Sequence, residues 1–457
     1  MNKKIITLTL SLLTFLFAHS TEREKHPIFE SGDNVCFVGN SITHGGHYIQ
    51  YVMQYYITRY PDMRLYFKNL GISSDTADGL LLRMNNEILS SDPDVVTLMI
   101  GMNDINRDLY SDPNKADTTL RREVAQTFEI YKDNLTQVNQ ILEENSRELI
   151  LFTPSIYDQT STLDRPNEYG VNDGLYAYGE YIKGEAPKYG AHVVDMWSAT
   201  NDINKKLQEI DPKASFSGGD RIHPFSFGGF IMATKFLEDL GEHGVVSALS
   251  IDLSSGVNFA ENSELSNLEL SDHGVTFDLL SYSLPFTQDK KIVEANKFID
   301  FQEVLNSETI QITGLKEGRY TLKIDNQEVG EYSSEELALG INLSTNPQTP
   351  QYQQSARVAE LCEQLRATTS RFRNLAHVEH ILLRGFEGLY SPDKTINHLE
   401  ELVKTEQNSF FKSRYEYYIE SRHDRDRAYQ EILNLQDECY EVAQPLPHHY
   451  QIIATKQ

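Results

Sequence analysis

The stretch VCFVGNSITH, residues 35–44, runs an apolar segment into Gly39-Asn40 and sets a serine at the turn before a helical pattern. A continuous apolar run is how a buried strand of a parallel sheet reads, and open α/β sheets bind ligands at the carboxyl ends of such strands. Ser41 falls at such an end. Backbone N–H groups at the start of the next helix are unpaired and carry partial positive charge, so an oxyanion formed by attack of Ser41 on a carbonyl would find donors there. A serine in this place can also be a plain N-cap, and the choice between nucleophile and cap rests on what the rest of the chain supplies.

Short apolar runs recur at Val35–Val38, Leu65–Leu70, Val95–Ile100, Leu149–Phe152 and His192–Met196. Helical patterns separate them, as in Glu123–Glu144, where Val124, Phe128, Tyr131, Leu135, Val138 and Leu142 keep helical spacing. Such β-α units over residues 33–240 predict a parallel sheet with helices on both faces. The first three strands end in Gly39-Asn40-Ser41, Asn69-Leu70-Gly71 and Gly101-Met102-Asn103-Asp104. After the fifth comes Gly218-Gly219-Asp220-Arg221-Ile222-His223-Pro224, ahead of a helix predicted from about Ser226 to Leu240. Asp220, three residues before His223, can orient the imidazole while the other ring nitrogen takes the proton of Ser41. The Gly71 N–H, with no side chain in the way, and the Asn103 amide are the expected oxyanion donors.

The order Gly-x-Ser, Gly, Gly-x-Asn-Asp and Asp-x-x-His, each at a strand end, resembles the SGNH (GDSL-type) hydrolase superfamily over about residues 33–240. The resemblance implies a flavodoxin-like three-layer α/β/α sandwich and a serine that attacks an ester carbonyl. It implies the triad Ser41, Asp220 and His223, and an oxyanion hole built from Ser41, Gly71 and Asn103. One departure is Asn40, where the first block of the family usually has Asp. The superfamily includes lysophospholipases, thioesterases and carbohydrate deacetylases.

The chain has 41 Lys+Arg against 67 Asp+Glu, a net charge of −26, which argues against nucleic acid and other polyanions as partners. Tyrosine is abundant, 25 residues against one tryptophan. Tyr48, Tyr51, Tyr55 and Tyr56 are expected to pack between helix and sheet. Tyr157, Tyr169, Tyr176, Tyr178 and Tyr181 follow the fourth strand around a polar loop at 164–174, and are open to either packing or stacking on sugar rings. No long apolar wall accompanies these segments, so a short acyl group, most simply acetyl, on a carbohydrate is the expected substrate. A lipid or thioester hydrolase, a non-catalytic glycan-binding protein on the same fold, and acyl transfer to a second sugar are the alternatives. No cofactor or metal is expected: His44, His47, His192 and His223 lack ligand spacing, and His377 and His380 read as an exposed pair on a helix.

Lys3 and Lys4, the apolar segment Ile5–Ala18 and the small residues around His19 read as a secretory signal peptide over residues 1–20, implying a periplasmic or secreted protein. No later segment is apolar for long enough to span a membrane. Cys36, Cys362 and Cys439 are too few for a disulfide framework. Beyond a catalytic domain at 21–244, strand patterns at Val275–Leu280, Thr309–Ile312, Tyr320–Ile324 and Glu328–Tyr332 predict a β-rich accessory module over 245–346. Thr345–Pro350 reads as a linker. Within 347–457, Tyr352–Leu383 and Asn397–Val442 read as a C-terminal helical hairpin, docked on the rest of the chain or on a second subunit, or forming one rim of the substrate cleft.

Overall fold

The structure is a computed structural model that describes residues 28–111, 117–271, 273–389 and 391–455; the leader expected at 1–20 lies outside the described residues. Strands β1 (Asn34–Gly39), β2 (Tyr66–Gly71), β3 (Val95–Met99), β4 (Glu148–Phe152) and β5 (His192–Val194) form an all-parallel sheet in the order β2-β1-β3-β4-β5. This is the flavodoxin-like order, whose switch point lies between β1 and β3. Successive residues of β1 feed opposite faces, as a period of two requires. Val35 and Phe37 join one core, with α2 (His47–Arg59), α6 (Met196–Ile210) and α7 (Phe225–Asp239). Cys36 and Val38 join the other, with α3 (Ala77–Arg83), α4 (Asp117–Asn145) and α5 (Val171–Glu185). A short helix, α1 (Ser41–Gly45), sits on the switch point.

Every residue of α2 from Tyr48 to Arg59 is buried, which a helix on the outer layer of a sandwich would not show. The rest of the chain covers it. Tyr48 packs on Phe37 and Phe152 of the sheet as expected, whereas Tyr51 meets Phe230 of α7, and Tyr55 and Tyr56 spend their hydroxyls on the His243 carbonyl and on Glu242. Strands β6 (Val245–Asp252), β7 (Gly256–Glu261), β8 (Ser263–Ser271), β9 (Gly274–Ser281), β10 (Ser307–Thr313), β11 (Arg319–Ile324), β12 (Gln327–Ser333) and β13 (Ile341–Asn342) build the β module, with α8 (Phe301–Leu305) and α9 (Ser334–Leu339) between them. Two sheets share one core: β13-β10-β6-β7, and β12-β11-β14-β9-β8 with β14 spanning His448–Ala454.

The strand β14 (His448–Ala454) corrects the expected boundary at 346: the third strand of the second sheet comes from the end of the chain. Only Tyr450 and Ile452 turn inward from it, a period-two signal of two residues behind a long helical pattern. The expected linker is also packed chain. Thr349 caps α10 (Pro350–His377) by accepting from the Tyr352 N–H, Pro350 takes the first helical position, and Asn346 donates to the Val329 carbonyl. The second half of the expected hairpin divides into α11 (Pro392–Thr405), α12 (Ser409–Ser421) and α13 (Arg425–Ala443). Helices α10 and α13 run antiparallel, with Gln354 on the Val442 carbonyl, Arg357 on Glu438 and Phe372 against Tyr429. Val358, Leu361 and Leu365 of α10 join the core around α2, together with Cys362 and Cys439, and all three cysteines are free and buried.

Glu308 of β10 is 1 % exposed. It joins the β module to α10 by accepting from Gln351 Nε2 at 2.7 Å, while its other carboxylate oxygen has no partner among the described residues. Burial outweighs the Gln351 bond and the Arg59 charge and raises its pKa to about 7. Between the ordinary value of 4.5 and about 7, the folded protein keeps a proton that the unfolded chain releases. Stability from this group is therefore full below pH 4.5 and is lost as the pH rises toward 7. Glu308→Gln is expected to raise Tm above that of the wild type at neutral pH, by an amount that shrinks toward zero below the ordinary carboxylate range. A Tm difference independent of pH would contradict the assignment.

Candidate active site

A Cβ at Gly39 would lie 2.4 Å from Thr43 Oγ1 and 2.6 Å from the Met99 carbonyl, so only glycine lets α1 fold back against the strand ends. Asn40 caps that helix: its Oδ1 accepts from the Ile42 N–H at 3.1 Å. Asparagine thus performs the capping that the expected Asp would perform, and Ser41 is the first helical residue rather than the cap. Its hydroxyl is free for another partner, and Ser41 Oγ lies 2.8 Å from His223 Nε2.

Asp220 Oδ2 lies 2.6 Å from His223 Nδ1, and Oδ1 accepts from the N–H groups of His223 and Ile222 at 2.8 and 3.0 Å. Burial opposes ionisation of this carboxyl, but the three hydrogen bonds prevail and hold it below the ordinary carboxylate range. An ionised carboxylate can only accept, so Nδ1 carries the ring proton and Nε2 is left to accept from Ser41. This is the geometry in which a serine, an imidazole and a carboxylate can serve as nucleophile, general base and orienting group. Between Asp220 and His223, Arg221 adopts φ +68° and is buried. Its guanidinium donates to the carbonyls of Asp158, Ser161, Leu163, Arg165 and Pro166, pinning the loop after β4 to the triad. Nothing in the residue order marked Arg221 for this.

On the opposite side of Ser41 the expectation for Gly71 is corrected. Its N–H is donated to Asn69 Oδ1 at 2.9 Å, and Asn69 in turn donates to the Thr43 carbonyl at 2.7 Å. A Cβ there would lie 2.3 Å from the His44 nitrogen, so the glycine is needed for close packing of β2 on α1, not as a donor. The loop that follows carries the better candidate. Ser74 holds φ +66°, is exposed, and its N–H makes no hydrogen bond among the described residues. Its neighbours tie it to the site: the Ser73 N–H donates to His44 Nδ1, and Asn103 Nδ2 donates one proton to the Asp75 carbonyl at 2.8 Å, leaving the other. The sequence signal for this turn was the polar cluster Ser73-Ser74-Asp75 after an apolar strand.

A recess of about 80 Å³ opens at Ser41 and His223, walled by Ile42, His47, Tyr48 and Phe225. Burial and the nearby Arg366 charge lower the His47 pKa to about 4, so the wall is neutral at ordinary pH. Phe225 is 51 % exposed and has φ +44°, a costly conformation for an aromatic residue and one that concentrates at functional sites. Its ring lies 6.4 Å from that of His223. Of the tyrosines after β4, Tyr157 and Tyr178 are buried, while Tyr169 and Tyr176 are exposed. The expected exposed histidine pair is corrected: His377 is buried with its ring 6.3 Å from that of His44, and the His380 ring nitrogen lies 3.5 Å from Glu87.

Residues 37–227 match the sequence profile of the GDSL-like lipase/acylhydrolase family. The acetylxylan esterase of Geobacillus stearothermophilus is 27 % identical over 236 residues, 46 % of this chain and 95 % of that protein. The solved structure of a gut microbial diltiazem-metabolizing enzyme superposes with a TM-score of 0.85 at 30 % identity, covering 93 % of this chain and 98 % of that one. That likeness extends beyond the sandwich to the β module and the C-terminal helices.

Asp220→Asn leaves the shape of the triad but lets the amide favour the wrong imidazole tautomer. It should lower kcat by about 10⁴-fold, as in other Ser-His-Asp triads, with little change in Tm. A kcat within tenfold of wild type would remove Asp220 from the orienting role.

Proposed function

The chain belongs to the GDSL-like lipase/acylhydrolase family, and on that premise we propose that it is an exported serine esterase removing short acyl groups, acetyl foremost, from carbohydrate. Ser41 Oγ attacks the ester carbonyl while His223 Nε2 takes its proton. The bond to the leaving alcohol breaks as that proton passes to the alcohol oxygen, giving an acyl-enzyme and the freed hydroxyl. Water, deprotonated by the same nitrogen, releases the carboxylic acid and regenerates Ser41. The oxyanion of each step faces the N–H groups of Ser41 and Ser74 and the second amide proton of Asn103.

One observation carries the short-acyl reading: the recess at Ser41 holds about 80 Å³, roughly half of the ~150 Å³ cavity that accommodates benzene. An acetyl group fits within such a space, whereas most of a long acyl chain would lie outside it. The carbohydrate reading is supported by the exposed Phe225 ring at the rim, since aromatic faces suit sugar rings, and by the likeness of the catalytic region to an acetylxylan esterase. The charge and apolar pattern of Met1–Ser20 supports export. A second reading, a small non-carbohydrate ester, is favoured by the relative that shares the whole architecture, because that enzyme metabolizes diltiazem.

Acetate release should be measured from acetylated xylan and other acetylated glycans, beside short- and long-chain nitrophenyl esters and diltiazem, for wild type and Ser41→Ala. The wild type is expected to release acetate from at least one glycan and to spare long-chain esters, and the variant to be inactive on all. Consumption of diltiazem with every glycan untouched would move the substrate to small molecules. Turnover of long-chain esters alone would move it to lipids, and an active Ser41→Ala protein would remove the nucleophile.

A further inference from the structure

Helix α10 lies outside the segment matched by the family profile, yet it grips the catalytic turn from behind. His44, three residues after Ser41, sits within 3.0 Å of the Ser370 carbonyl and 3.1 Å of Asn374 Oδ1 through Nε2. Two acceptors there place the ring proton on Nε2, so Nδ1 accepts from the Ser73 N–H at 3.2 Å. Arg366 donates to the Gly45 carbonyl at the end of α1, at 3.2 Å. Arg373 is also buried, its side chain 6 % exposed. Its Nε donates to the Gly71 carbonyl at 3.1 Å, and a terminal nitrogen meets Glu87 at 2.5 Å.

Glu87, in a π-helical turn at Met84–Ile88, also receives Arg83 at 2.8 Å, and Arg83 Nε reaches Asp75 Oδ2 at 2.9 Å. Burial works against ionisation of Glu87, but the Arg373 and Arg83 charges hold its pKa at about 2. The loop Gly71–Asp75 is therefore clamped at both ends by one buried chain of charges: Arg373 at Gly71, Arg83 at Asp75, Glu87 between them. Ser74, an exposed residue, lies inside the clamp, and the anchor of Asn103 is its last residue.

We propose that Arg373 is a positioning residue that holds the Gly71–Asp75 loop in its oxyanion-binding register, so that the chemistry of the sandwich depends on a helix supplied by the C-terminal region. The inference rests on the serine-esterase reading. Arginine suits the role because its planar fork reaches a carbonyl and a carboxylate at once, whereas a lysine ammonium serves as a single point. A loop set loose still binds the ground-state ester, whose carbonyl makes weak use of the donors. What is lost is stabilisation specific to the tetrahedral state.

The test is steady-state hydrolysis of nitrophenyl acetate by the full chain, together with the affinity of an alkylboronic acid, which forms a tetrahedral adduct on Ser41. Arg373→Met keeps much of the side-chain volume and leaves Glu87 paired with Arg83. It should lower kcat by about 10- to 100-fold, less than the 10²–10³ expected for a deleted donor, with KM within about twofold. Boronate affinity should fall by the same factor as kcat, and Arg373→Lys should recover part of both. Should Arg373→Met fail to fold, Glu87→Gln loosens the other anchor of the same guanidinium and should shift kcat and boronate affinity together, by less. Unchanged kcat and boronate affinity in a folded variant, or a loss confined to KM, would overturn the positioning role while leaving the esterase intact. A wild type without Ser41-dependent hydrolysis would overturn both.

Discussion

The hydrogen bond between Ser41 Oγ and His223 Nε2 joins residues 182 apart in the chain, and the polar contacts of Asn40, Asp220 and Arg221 keep it aligned. A strand and a short helix deliver the hydroxyl, with Gly39 allowing the tight return and Asn40 capping the helix so that Ser41 need not. The imidazole arrives on a turn whose conformation is held by Asp220 and by the deep anchoring of Arg221. In the order β2-β1-β3-β4-β5 the switch point falls between β1 and β3, so Ser41 and Asn103 flank the place where such sheets bind ligands. Position follows from topology, and the fine geometry from local hydrogen bonds.

Around this site the chain buries charge that a simpler sandwich would leave in water. Arg83, Glu87, Arg373 and Asp75 form one connected set beneath the loop after β2. Taking such groups out of water costs several kcal/mol per ion, and replacing them with apolar residues is often neutral or stabilising. A buried ion chain is thus poorly explained by stability alone. Its value here is directional: each member fixes an angle, and together they define the path of five residues beside the nucleophile.

Much of the sandwich was legible because its strands are continuous apolar runs and its helices keep a 3.6-residue period. The grouping of Ser41, Asp220 and His223 was legible because each stands at the end of such a strand or on the turn before a helix. Gly71 was misread for a physical reason. A glycine after a strand signals close approach of backbone, and here the partner approaching is the turn at Thr43 and His44, not a substrate. What escaped were interactions with no local pattern. Arg373 is one arginine among several on a long polar helix, and His377 looked solvated because the segment that buries it lies elsewhere in the chain. β14 was hidden because two inward residues are too short a period to count, and its place in the sheet is set by pairing with β9 and β11.

Transfer of the acyl group to Ser41, activated by His223, is the step on which the proposed reaction depends. It is tested most directly by quenching the enzyme with acid during reaction with a nitrophenyl acetate and mapping the protein by mass spectrometry. One acetyl group is expected, on the peptide that contains Ser41, and none in Ser41→Ala. An acetyl group on another residue that turns over at the catalytic rate, or turnover undiminished in Ser41→Ala, would contradict it.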